Sequence, residues 1–154
     1  MRIITVLVLL LICSCSLPRY QLLNPIQTYE REISAIYDDV WVHALDAIPE
    51  GHVTRTSDYD EGLIVTVPKS NSASISGLAD CGAQPFNTKL ERHVKVSISI
   101  SELEDERTRV RVKADYRINT QSQIDQRIRV FVCRSTGFLE GNLLDYIESK
   151  ASHS

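Results

Sequence analysis

From Val94 to Val132 the chain alternates apolar and polar residues with a period of two, and this restricts its fold more than any other feature. Val94, Val96, Ile98 and Ile100 are separated by Lys95, Ser97 and Ser99. After the turn Glu104-Asp105-Glu106, the residues Thr108, Val110, Val112, Ala114, Tyr116 and Ile118 hold the even positions, and Ile128, Val130 and Val132 repeat the pattern. Successive side chains of a strand point to opposite faces, so this predicts an antiparallel meander with one apolar face. His52 to Ser57 and Leu63 to Val67 flank the turn residues Asp58-Tyr59-Asp60-Glu61-Gly62 and predict a hairpin. The expected sheet has about five strands.

A half-polar sheet needs a cover. From Thr28 onward Ile33, Ile36, Tyr37, Val40, Trp41, Ala44, Leu45 and Ile48 recur at intervals of 3 and 4, which predicts an amphipathic helix ended by Pro49 and Gly51. Leu139, Leu143, Leu144 and Ile147 predict a second helix from about Thr136 to Lys150. The expectation is a two-layer α+β domain over residues 28–151. Its N-terminal and C-terminal helices pack on one face of the antiparallel sheet.

Charge is distributed unevenly. The 154 residues carry a formal net charge of −3, against the basic excess usual in nucleic-acid proteins. Yet Arg107, Arg109, Arg111, Lys113 and Arg117 share the odd positions of one strand, and Lys95, Arg127 and Arg129 are expected to join them. This reads either as a solvated polar face or as a docking surface, for an acidic protein partner or else for anionic lipid or glycan. Chemistry is harder to find. His43, His52, His93 and His153 lack metal-ligand spacing, and no nucleophile elbow, phosphate loop or dinucleotide fingerprint occurs, so no cofactor is expected. Asp58 to Gly62 contains a fragment of a calcium loop without its downstream glutamate and is read as a turn. Ser135-Thr136-Gly137 is read as the cap of the last helix.

The first residues read as an address. Met1-Arg2 precedes an apolar run, Ile3 to Ile12, whose helical length of about 15 Å is half a bilayer core of about 30 Å. Residues 1–14 therefore read as a signal peptide. Ile12-Cys13-Ser14-Cys15 resembles the lipobox of bacterial lipoproteins, which implies lipidation of Cys15 and cleavage before it. Ser16 is not the aspartate that commonly retains lipoproteins at the inner membrane, so the resemblance points to the periplasmic face of the outer membrane. Cleavage after Ser16 with release of a soluble protein, or inner-membrane anchoring, is the alternative. Residues 15–27, with Pro18 and Pro25, read as a tether.

The element order resembles the helix-grip modules of outer-membrane assembly lipoproteins such as the C subunit of the β-barrel assembly machinery. Tyr37-Asp38-Asp39-Val40-Trp41, Gly51, Asp60-Glu61-Gly62-Leu63-Ile64 and the closing stretch from Cys133 to Glu140 carry that resemblance. It implies a non-enzymatic interaction module in an envelope complex; the basic face or a free strand edge of this chain is expected to engage the partner. A lipoprotein holding a small hydrophobic or glycan ligand between helix and sheet is the alternative.

With Cys15 lipidated and Cys13 lost with the leader, Cys81 and Cys133 remain in an oxidising compartment, and a Cys81–Cys133 disulfide is expected. Cys133 shares odd register with Arg127 and Arg129, so it is expected to point away from the helices. The bridge would then draw the loop between Lys69 and Thr88 over the outer side of the sheet, Phe86 meeting Phe131.

Overall fold

The computed structural model describes residues 27–69, 75–83, 88–124 and 126–153. The expected signal peptide, the expected lipidation site at Cys15, the expected tether up to residue 26 and Phe86 lie outside these. Alternation dominates the folded part. In β6 (Thr108–Ser122) every even residue from Thr108 to Thr120 is buried. β5 (Thr88–Glu102) pairs with it along its whole length, placing Val96 opposite Ala114 and Ile98 opposite Val112. β2 (His52–Asp58) and β3 (Leu63–Pro68) form the expected hairpin, β7 (Ile128–Ser135) follows β6, and β4 (Ala79–Asp80) is a two-residue bridge. The sheet order is β2-β3-β5-β6-β7-β4, and every pairing is antiparallel.

The first helix begins later than its periodicity suggested. Residues Tyr29–Ile33 form a strand, β1, paired with β6 so that Glu30 faces Arg111 and Glu32 faces Arg109. The intervals of 3 and 4 at Ile33, Ile36 and Tyr37 belong to a strand end followed by a helix start. Within Tyr29 to Ile33 the burial alternates, as a strand requires. Among the described residues the sheet thus has seven strands rather than about five. On one side of β6, β1 lies along residues 108–112 and β7 along 116–121, end to end.

Helix α1 (Tyr37–Asp46) buries Val40, Trp41 and Ala44, with Asp38 and Asp39 in its first turn, where the helix dipole favours negative charge. Helix α2 (Phe138–Ala151) buries Leu143, Leu144, Ile147 and Ala151. Both pack on the even face of the sheet, with Val96, Ile98, Val110 and Val112 fully buried beneath them. The fold is therefore the expected two-layer α+β arrangement. Residue Gly137, with φ near +81°, is the cap of α2; Ser135 and Thr136 accept from the amides of Gly137 and Phe138 just before it. No described helix is long and apolar enough to cross a membrane.

Two fastenings hold the ends. Arg31 of β1 reaches Asp145 and Glu148 of α2 at 2.6 and 2.7 Å. At the β2–β3 turn, the Tyr59 ring stands edge-on to Tyr37 and Trp41 at 5.1 and 5.3 Å, its hydroxyl donates to Asp38, and the Tyr37 hydroxyl donates to the Tyr59 carbonyl at 2.6 Å. Asp58 to Gly62 is thus a turn locked to α1, its Asp58 carboxylate accepting from the Glu61 amide at 3.0 Å. Deeper in, Glu140 is fully buried beside Tyr116, whose hydroxyl is pushed above the usual tyrosine range by burial first and the Glu140 charge second.

Cys81 and Cys133 are bonded, 52 residues apart. The bridge forms on the opposite side from the one expected. Cys133 pairs across from Tyr116, is only 6% exposed and belongs to the core, as do Ile75 and, at its margin, Leu78 and Ala79. The described part of the loop therefore closes the helix-bearing side of the sheet. The apolar alternation of Ile128, Val130 and Val132 points them to the core, but the register of β7 against β6 sends those three outward.

Candidate functional site

The odd face of the sheet is the surface the helices leave open. Pairing register places Lys95 opposite Asp115, Ser97 opposite Lys113, Ser99 opposite Arg111 and His93 opposite Arg117 on this face. The sequence therefore located Lys95, Arg109, Arg111, Lys113 and Arg117 correctly with respect to one another. It placed Arg129 wrongly: that residue lies across from Thr120, on the side that bears the helices, and Arg127 precedes β7 in the turn.

β1 changes the electrostatics of this face, and the sequence reading missed it because it assigned Glu30 and Glu32 to a helix. Arg107 meets Glu32 at 3.2 Å, Arg109 meets Glu30 at 3.2 Å and Glu32 at 2.8 Å, and Arg111 pairs with Glu30. The hydrogen bond from Arg109 holds the Glu32 carboxyl below its usual range. One end of the predicted basic stripe is thus compensated by carboxylates on the neighbouring strand. Alternation in Tyr29-Glu30-Arg31-Glu32-Ile33 was the signal that would have revealed it.

The other end keeps its charge. A shallow concavity of about 660 Å³ lies across β3, β5, β6 and β7, with Val67, His93, Lys95, Arg117, Asn119 and Val130 among its walls and Arg55 reaching it from the bulge in β2. Among its described walls the one carboxylate, Asp115, is engaged by Arg117 at 2.6 Å, which raises the arginine's already high pKa. His93 Nε2 and the Asn119 amide lie 3.0 Å apart. Lys95 and Lys113 have no ion-pair partner among the described residues. An arrangement of this kind attracts carboxylates or other anions and orients them by charge and by hydrogen bonds from His93 and Asn119. Among the described residues no group of three or more His, Cys, Asp or Glu side chains is placed to hold a metal.

A second feature was not anticipated. Ile128, Val130 and Val132, expected in the core, are 67%, 58% and 36% exposed on the open face of β7. The concavity therefore has cations on β5 and β6 and an apolar rim on β7.

No protein-family model matches the chain, and no curated protein matches it. Among solved structures it is similar to a TBP-like protein from Parabacteroides distasonis ATCC 8503, with 11% identity and a TM-score of 0.46, over 85% of this chain and 96% of that one. The fold described above rests on strand order and register.

Proposed function

We propose that this chain is a lipoprotein anchored through Cys15 at the periplasmic face of the outer membrane. Its α+β unit would act as a non-enzymatic interaction module in an envelope assembly complex. The anchor is supported by the Ile12-Cys13-Ser14-Cys15 resemblance. The interaction role is carried by one observation: after β1 has compensated Arg107, Arg109 and Arg111, the open face still holds a basic concavity around Lys95 and Arg117. An acidic surface of a protein partner is the complement. Charge of this kind mainly accelerates encounter and fixes orientation, and salt weakens it.

The test uses the full chain in bacterial envelopes. A photo-crosslinking residue at Lys95 is expected to capture a discrete partner band, while one at Ser149 on α2 is not. Lys113→Glu with Arg117→Glu should abolish the band, and added salt should weaken it. Equal capture from both positions, or a band indifferent to the charge reversals, would refute the open-face role. For the anchor, globomycin is expected to block processing and Cys15→Ala to release the protein from membranes. Unchanged membrane retention in the Cys15→Ala protein would overturn that part.

A further inference from the structure

We infer that β7 is a strand-addition site, seating an extended partner segment whose residues alternate between apolar and acidic. This rests on the interaction-module reading and names the chemistry of the partner.

The backbone supplies the first reason. The Ser122 amide donates to the Arg127 carbonyl, whereas the Thr136 amide donates to Leu78 on the opposite side of the strand. Consecutive residues of a strand turn their N–H and C=O to opposite sides. The odd residues of β7 therefore bond to β6, and Ile128, Val130 and Val132 direct theirs outward. β4 occupies that edge only at Arg134 and Ser135. Among the described residues, no strand pairs with the outward groups of Ile128, Val130 and Val132.

Side chains supply the second. Proteins protect free edges by placing charges, prolines or bulges on them. The arginines of this edge strand leave its open face uncovered, where a stripe of Ile128, Val130 and Val132 is exposed. An incoming strand would bury its own alternate apolar residues against that stripe, extending the rim of the concavity.

Charge selects the occupant. Residues 127–135 contain Arg127, Arg129 and Arg134 and no acidic residue. Pairing with a second copy of β7 would set arginine against arginine, so self-association is disfavoured. A carboxylate between the apolar positions of a partner strand would instead fall on the same side as Arg129, which forms no ion pair among the described residues. Since β4 closes one end, the added strand spans roughly six residues, or about 20 Å.

The probe is a fluorescent Val-Asp-Val-Asp-Val-Asp peptide titrated into the full chain and read by anisotropy. Two further versions carry N-methyl groups on alternate residues. One set blocks the amides that would face β7, and the other leaves them intact. Binding is expected to fall at least about tenfold for one set and to stay within about twofold for the other, the asymmetry of strand addition. A Val-Lys peptide should bind at least about tenfold more weakly, and Arg129→Glu should narrow that preference. Val130→Pro removes an outward amide and leaves the β6 ladder intact, so it should abolish binding at an unchanged melting temperature.

Absence of peptide binding, equal loss with both N-methylated sets, or indifference to aspartate against lysine would each overturn the inference. If Val130→Pro leaves the Lys95 crosslink in envelopes intact, the edge proposal falls and the open-face reading stands. If the peptide signature holds while Lys95 captures nothing, the edge stands and the open-face reading falls.

Discussion

Gly62 ends the β2–β3 turn with φ near +63°, and its carbonyl accepts from the Ile100 amide at 2.7 Å. A β-carbon there would land on the Ile100 carbonyl oxygen, a backbone atom of the long strand β5. Gly62→Ala is expected to cost about 2–4 kcal/mol, the sum of left-handed strain and a collision that neither chain can evade cheaply. Gly51→Ala, with φ near +82° but nothing within 4 Å, should cost only about 1 kcal/mol. Urea unfolding of the two variants measures the difference, and equal losses would remove the steric part of the argument. Tyr59, in the same turn, has its hydroxyl pushed from about 10 up to about 12, by its hydrogen bond to Asp38 first and burial second. The unfolded chain therefore ionises this tyrosine first. Its stabilising contribution is complete below pH 10 and is lost as pH rises towards about 12. Tyr116 shifts in the same direction. Thermal melts across the alkaline range should show a smaller decline for Tyr59→Phe than for the parent; identical declines would show that the Asp38 contact is inert.

At the level of elements, β1 decides how much of the basic stripe remains basic. Its even residues face the β6 arginines while Arg31, on the other side, grips α2. Each of these partly exposed pairs is worth up to about 1 kcal/mol. Glu30→Lys with Glu32→Lys would set like charges across the strand pair and is expected to destabilise by about 1–3 kcal/mol. Adding Arg109→Glu and Arg111→Glu should restore most of the loss in a double-mutant cycle. A quadruple variant no more stable than the sum of its parts would show that the pairs do not hold β1. This strand also marks where sequence legibility stopped. The long strands, the hairpin, the last helix and the core of the first were readable because each has a sustained period. Five residues that join a helical stripe by coincidence at Ile33, Ile36 and Tyr37 were not. β7 failed differently. Its period of two is complete from Ile128 to Val132, but a period does not say which face is inward. Pairing register does, and a strand at the margin of the sheet can carry its apolar residues outward.

For the molecule as a whole, the disulfide fastens the segment from Ile75 to Cys81 to the sheet and thereby finishes the core beside α2. Closing 52 residues corresponds to about 4 kcal/mol in the chain-entropy account. Cys81→Ala with Cys133→Ala, or reduction, is expected to lower stability by about 2–4 kcal/mol. Denaturant titration with and without reductant measures this, and a coincident pair of curves would contradict it. The open face, by contrast, owes its charge to Lys95, Lys113 and Arg117 on strands whose inward face the sequence revealed, and its apolar rim to β7, a strand whose facing it did not reveal. The place of β1 bears on the order of assembly. Its partner residues on β6, 108–112, lie some 80 positions later in the chain, as the Glu30 and Arg111 pairing at a separation of 81 illustrates. A chain threaded out N-terminus first therefore presents β1 long before anything exists for it to pair with. Contacts this distant form slowly, because the intervening loop must close before they reward it. Strand β1 should be among the last pieces to dock. A chain already held at its N-terminus would complete its fold at the anchoring surface, its arginines uncovered until β1 arrives.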